Sequence, residues 1–300
     1  MGLEFTNLSV PETESSDVTD YVNLMKPRVM SLVVFSSIVG IVMAPGHIHP
    51  FLAFVSILCV MTGHGAAASL NMWYDRDIDA IMKRTRQRPT VTGKILPEDA
   101  LSFGIILGFF SVLIMTVCIN YVAGALLLVT ILFYFFIYTI WLKRRSIQNI
   151  VIGGAAGAIP PMIGWASVTG GISFESILLF LLIFMWTPPH FWSLAIYKSE
   201  DYRICNIPMM PIVKGYDYTK RQIVAYTIVT VITSLIPSYI GMSGNFYFIV
   251  SSLMGLIFIS LSILMIWDKK NAIAPKMFIF SIIYLFGIFL AMITDHIFHG

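Results

Sequence analysis

The chain turns on two adjoining stretches: FLAFVSILCVMTGHGAAASL from Phe51 to Leu70, then NMWYDRDIDAIMKRTRQRP from Asn71 to Pro89. The first is an apolar run about twenty residues long, the length that crosses a bilayer as a helix. The second is the densest charged segment in the chain, with acids Asp75, Asp77 and Asp79 followed by Lys83, Arg84, Arg86 and Arg88. Asn71, Asp75 and Asp79 recur at a spacing of four and form one stripe if the helix continues. Three oxygen side chains on one face suit a hard cation such as Mg²⁺, which completes its shell with phosphate oxygens. The arginines behind them carry paired donors that match phosphate. A magnesium–diphosphate site is one reading; a solvated loop whose charges only set topology is the other. An EF-hand loop is excluded, because its sixth and twelfth positions would be Ala80 and Arg86 where Gly and Glu are required.

Outward from this stretch the chain is apolar. Of 300 residues, 57% are hydrophobic and 12% charged, and the mean hydropathy is +0.83. These values place it among all-α polytopic membrane proteins. Apolar runs predict nine helices, near 29–45, 51–70, 100–118, 122–142, 147–168, 175–197, 222–242, 246–267 and 275–297. All 19 Lys and Arg fall in alternate connections, so the positive-inside rule puts the N-terminus in the cytoplasm and the C-terminus outside. Basic residues confined to short loops argue against nucleic acid as a partner. Residues 1–20 are acidic and lack Lys and Arg, unlike a targeting peptide. They read as a disordered tail, with 21–300 as one transmembrane domain in a bacterial inner membrane. Cys59, Cys118 and Cys205 form no CxxC; the first two lie in apolar runs and read as core.

A second charged loop, from Lys198 to Arg221, follows the sixth predicted span. Lys198 and Asp201 there either face the first motif or form an ordinary ion pair one turn apart. His64 lies seven residues before Asn71, on nearly the same helix face, and His190 eight before Lys198. Polar groups at membrane depth face a cavity or the bundle interior; the plainer alternative is a hydrogen-bonded packing residue. Pro160–Pro161 and Pro188–Pro189 predict breaks or kinks in the fifth and sixth spans. Gly153 to Gly157 predicts close helix contact.

These motifs resemble the UbiA superfamily of intramembrane prenyltransferases, over almost the whole chain after residue 20. The phrases that carry the resemblance are Lys26-Pro27-Arg28, NMWYDRDIDAIMKRTRQRP, PPHFWSLAIYKSEDY and IPMMPIVKG. The spacing NxxxDxxxD specifies only the superfamily, whereas RTxxRP, PPHFW and KxxDY together resemble its haem-farnesylating branch. Most relatives carry two acids after the sixth span; here Lys198 replaces one, which leaves one or two Mg²⁺ open.

The resemblance implies nine helices around a central cavity and transfer of farnesyl from farnesyl diphosphate to a vinyl group of haem B. Water addition then gives haem O. It implies Mg²⁺ on Asn71, Asp75 and Asp79, with Asp201 a further candidate ligand. Arg28, Arg84, Arg88 and Lys198 would neutralise the diphosphate. Tyr202, His190 and His64 would line the substrates, the histidines as haem contacts or axial ligands. Handover to a haem A synthase or terminal oxidase follows from the same likeness. Two rivals stand beside it: a prenyltransferase acting on a quinone precursor, and a secondary transporter, which would place its charges deep in the bundle.

Overall fold

The computed structural model describes residues 16–299, apart from the side chains of Arg28 and His299. Most of the expected tail, residues 1–15, lies outside the described residues. A helix begins at Val18, closed by a capping box between Asp17 and Asp20.

Among the described residues every regular element is helical. Eight helices among the described residues are long and apolar enough to cross a membrane: Pro50–Tyr74, Pro97–Ile119, Tyr121–Leu142, Asn149–Thr169, Phe174–Tyr197, Tyr216–Tyr239, Asn245–Trp267 and Ala274–Phe298. A ninth is made by Val18–Leu24 and Val29–Met43, bent by 63° at the break. The nine are called the first to ninth spans below, the first being the helix Pro27–Met43. Helices satisfy every backbone group internally, the condition for crossing hydrocarbon.

The first span packs on the fifth, the second on the third, and the sixth on the seventh and ninth. The seventh also packs on the eighth, and the eighth on the ninth. Small residues permit these approaches. A Cβ at Gly153 would meet the Tyr138 ring at 2.2 Å, and one at Gly154 would meet Thr187 at 2.7 Å. The glycine run thus seats the fifth span against the fourth and sixth, as its composition predicts. Outer faces carry exposed Phe109, Phe110, Val117 and Leu256, the surface a bilayer covers. Cys118 is exposed beside them, whereas Cys59 is buried; the expectation of a core Cys118 is corrected, because its helix face turns outward.

The two proline pairs behave differently. The fifth span divides into Asn149–Ala158 and Pro160–Thr169 at Ile159, as predicted. The sixth stays helical from Phe174 to Tyr197 with Pro188 and Pro189 inside. Packing on both sides holds it where local propensity alone would break it. The third and fourth spans end in wider π-helical turns, Met115–Ile119 and Phe133–Leu142.

Two cavities matter for placement. One of about 780 Å³ opens among the Lys- and Arg-free connections, lined by residues such as Trp165, Glu175, Ser243 and Asp295. The other, about 250 Å³, lies at the opposite end between the two charged loops, lined by Asp77, Ile78, Arg144, Cys205 and Ile207.

Candidate active site

The second span ends at Tyr74, and a six-residue helix, Arg76–Ile81, follows a turn at Asp75. The stripe survives the turn. Asp75 N donates to Asn71 O at 2.9 Å and Asp79 N to Asp75 O at 2.8 Å, so the four-residue repeat is kept. Asn71, Asp75 and Asp79 are 3%, 0% and 1% exposed. Burying two carboxylates demands paired charge.

That charge comes from three elements. Asn71 Oδ1 accepts from Lys26 Nζ at 2.7 Å. Asn71 Nδ2 donates to Asp75 Oδ2 at 2.7 Å and to Thr139 Oγ1 at 3.1 Å. Lys143 Nζ donates to the same Asp75 oxygen, and Arg144 Nη2 approaches Oδ1 at 3.4 Å. Arg88 Nη1 donates to Asp79 Oδ2 at 2.5 Å. Thr85 Oγ1 donates to the Asp79 carbonyl at 3.0 Å and closes the loop around it. Removing one partner of such a buried pair typically costs about 3–5 kcal/mol.

The fourth span is shaped for this contact. Its π register carries Thr139 Oγ1 to the Tyr134 carbonyl at 2.9 Å and Lys143 N to the Tyr138 carbonyl at 2.9 Å. Wide turns of this kind occur disproportionately at functional sites. Lys26 supplies a second local irregularity, at φ 54°. A non-glycine residue in that region stores on the order of 1–3 kcal/mol, which surrounding contacts must offset.

Arg144 also forks onto Asp77, with Nη1 at 2.8 Å from Oδ2 and Nη2 at 2.7 Å from Oδ1. Its guanidinium lies 4.8 Å from the Tyr74 ring centre. The hydrogen bond from Arg144 holds the Asp77 carboxyl below the usual carboxylate range, and Asp77 raises Arg144 in return.

The second charged loop folds against the first. Cys205 Sγ donates to the Ile78 carbonyl at 3.7 Å. Tyr202, Ile207, Met209 and Met210 share one buried cluster with Ile78 and Met82. Lys198 and Asp201 do not pair with each other. Lys198 Nζ sits 4.3 Å from the Tyr197 ring centre, and the ion pair one turn apart is Glu200 with Arg203 at 2.7 Å. The bland reading of Lys198 and Asp201 as a surface pair is therefore set aside. Among the described residues no three acids, histidines or cysteines converge as a metal group. Asp75 is joined to the Asn71 amide, and Asp79 lies one turn further along the same stripe, a hard-oxygen set that leaves part of a cation's shell to a ligand.

The histidines lie deeper. His190 Nδ1 donates to Ser281 Oγ at 2.7 Å, since that hydroxyl itself donates to the Phe278 carbonyl at 2.6 Å. Its ring is stacked between Trp186, 4.3 Å away, and Phe278, 4.7 Å away. His64 Nδ1 donates to the Val60 carbonyl at 2.9 Å, while its Nε2 is buried without a partner. An unmet buried polar atom costs on the order of 1–3 kcal/mol. Arg84 is exposed, and Arg88 is committed to Asp79. The Arg28 side chain lies outside the described residues.

Sequence reasoning missed Thr139, Lys143 and Arg144, and it used Lys26 only for the resemblance. A signal existed: Lys143 and Arg144 end an apolar span on the side that carries every other cation.

Residues 33–291 match the UbiA prenyltransferase family. The chain belongs to this family. A relative named Protoheme IX farnesyltransferase from Orientia tsutsugamushi is 54% identical over 282 residues, covering 94% of this chain and 90% of the relative. Another of the same name from Rickettsia bellii is 52% identical, covering 95% and 96%. Among solved structures, a digeranylgeranylglyceryl phosphate synthase superposes with TM-score 0.79 at 20% identity, covering 93% of this chain and 98% of that one. A UbiA homolog from Archaeoglobus fulgidus bound to GPP and Mg²⁺ gives TM-score 0.65 at 16% identity, covering 92% and 99%. At such identities the structures establish the shared fold. The UbiA match makes the protein a multi-pass membrane prenyltransferase, and the matched span contains the second-, fourth- and sixth-span groups described above.

Proposed function

We propose that the protein transfers the farnesyl group of farnesyl diphosphate to a vinyl group of haem B, with addition of water, giving haem O and diphosphate. The likeness along nearly the whole chain to relatives named Protoheme IX farnesyltransferase carries this reading. The basic residues and the acids Asp75, Asp77 and Asp79 support it over transport, because they gather at one end of the bundle and not along its depth.

The residues present fit Mg²⁺. Asn71, Asp75 and Asp79 offer hard oxygens, and each already holds a cation, Lys26, Lys143 and Arg88 respectively. When bound, Mg²⁺ supplies Lewis-acid stabilisation of the departing diphosphate. Those three residues would hold it, with Asp201 a further candidate from the second loop. The remaining work falls to the protein's own groups. Arg84, Arg88, Lys198 and Arg28 neutralise diphosphate oxygens, lowering the cost of breaking the allylic C–O bond. The tight bundle excludes water from the allylic cation until its C1 bonds the terminal vinyl carbon. Water then captures the cation left on the porphyrin-side carbon and loses a proton. Tyr202 and His190 line the substrates, His190 on the haem side.

Segregation of the basic residues supports a cytoplasmic N-terminus and periplasmic C-terminus in a bacterial inner membrane. A porphyrin with a new isoprenoid tail stays in the bilayer, so a membrane-bound acceptor, a haem A synthase or a terminal oxidase, would receive it.

The experiment is direct. Purified protein is given farnesyl diphosphate, Mg²⁺ and haem B, and the porphyrins are separated by chromatography. Haem O with equimolar diphosphate is expected. Prenylation of 4-hydroxybenzoate with haem left unchanged would overturn the reading in favour of a quinone precursor.

A further inference from the structure

We infer that Thr139 is a positioning residue for the metal stripe: its hydroxyl fixes which end of the Asn71 amide faces the cation. This rests on the magnesium reading above. Thr139 is 0% exposed, and its Oγ1 donates to the Tyr134 carbonyl at 2.9 Å. A hydroxyl has one proton, so toward Asn71 this oxygen only accepts. It therefore takes Asn71 Nδ2, at 3.1 Å, and cannot pair with Oδ1. The same Nδ2 donates to the Asp75 carboxylate, which only accepts, and Oδ1 is held by the Lys26 ammonium, which only donates. The two ends of the amide are thereby assigned, nitrogen toward the fourth span and oxygen toward positive charge. Mg²⁺ binds an amide through its oxygen. An Asn71 side chain turned over would present N–H donors to the metal and lose a ligand.

The π-helical turn makes this polarity possible. In a regular helix a threonine hydroxyl donates three or four residues back. Thr130, Thr187 and Thr230 each reach the fourth. Thr139 reaches the fifth, Tyr134 and not Phe135, because Phe133–Leu142 is wound wider. The other two partners of Asn71, Lys26 and Asp75, are charged groups for which diphosphate and metal compete. Thr139 is neutral, buried and tied to the backbone, so it keeps hold of the amide when those charges turn to a ligand. Groups that hydrogen-bond a metal ligand from behind orient it and set metal affinity in this way.

The test uses full-length protein in detergent with farnesyl thiodiphosphate, an unreactive analogue of the donor, and counts free Mn²⁺ by electron paramagnetic resonance. Thr139→Val keeps the shape and removes the hydroxyl. It should weaken Mn²⁺ binding about tenfold or more, and Thr139→Ser should restore it. Asn71→Asp leaves no amide to turn over, so in that background Thr139→Val should change Mn²⁺ affinity by no more than about twofold. A threonine that only supports packing would cost the same in both backgrounds. Equal losses in the two, or unchanged Mn²⁺ affinity in Thr139→Val, overturn the inference and leave the magnesium reading standing. If wild type binds no Mn²⁺, both fall. If Thr139→Val melts below the assay temperature, Thr139→Cys decides, because a thiol is a weak acceptor. Weakened Mn²⁺ binding in that variant supports the assignment, and unchanged binding rejects it.

Discussion

Asn71 Nδ2 donates to Thr139 Oγ1 at 3.1 Å, and one turn further along both helices Asp75 meets Lys143. The two rungs share one offset in sequence, 68 residues, so the second and fourth spans run parallel through the contact. A pair of residues four apart on one helix is matched to a pair four apart on the other. Either helix slipping by a residue would leave a buried carboxylate without its cation.

Charge removal at this zip separates catalysis from folding. Asp75→Asn should lower the rate of haem O formation on the order of 10²–10³-fold, the scale of losing one preorganised electrostatic group. It should also destabilise by about 3–5 kcal/mol, because Lys143 is left buried and unpaired. Adding Lys143→Met should recover much of that stability, since neither charge then remains, but no activity. Melting temperatures and haem O yields of the two single variants and the double variant give the cycle. Near-normal haem O from Asp75→Asn or Asp79→Asn would count against the metal assignment.

Metal removal gives a second outcome. Exhaustive chelation should stop release of diphosphate, and added Mg²⁺ or Mn²⁺ should restore it, because oxygen donors accept both. The melting temperature of the substrate-free protein should barely change, since Lys26, Lys143 and Arg88 already balance the site. Full turnover in chelator would reject Mg²⁺ chemistry.

The helical architecture could be read from the sequence because bilayer thickness sets helix length. The stripe of Asn71, Asp75 and Asp79 was readable too, since spacing of four survives even the turn at Asp75. Thr139, Lys143 and Arg144 were not. Their facing depends on the π-helical register after Phe133, which shifts positions away from the 3.6-residue period that sequence patterns assume. Of the break or kink expected at Pro188 and Pro189, the break does not occur: the helix runs on from Phe174 to Tyr197 through both prolines. Lys198 and Asp201 were legible as charged groups but not as unpaired ones, because spacing alone cannot choose between Asp201 and the Tyr197 ring.

His190 offers a test of the second half of the bundle. His190→Ala removes the ring stacked between Trp186 and Phe278 and leaves Ser281 without its donor. Haem affinity should fall more than farnesyl diphosphate affinity, as separate titrations would report. A larger loss for farnesyl diphosphate would move His190 out of the haem side. A cavity left at this position should also cost about 2–4 kcal/mol of stability, so both titrations belong well below the melting temperature.

Acid provides the last prediction, through Asp77 and Arg144. The hydrogen bond from Arg144 lowers the Asp77 carboxyl in the folded protein, while the unfolded chain keeps the ordinary value near 3.9. As pH falls, the unfolded state takes up the proton first. The pair's contribution is therefore whole above the unfolded value and is lost as pH drops through the lower, folded one. Asp77 is 62% exposed, which limits the contribution to roughly 1 kcal/mol or less, further reduced by salt. Asp77→Asn should consequently melt slightly below wild type at pH 7, and the two should converge as pH falls well below 4. Arg144 still touches Asp75 in that variant, so catalysis should change little and the difference reports the exposed pair alone. A gap that persists or widens at pH 3 would mean that Asp77 acts through packing and not through its charge.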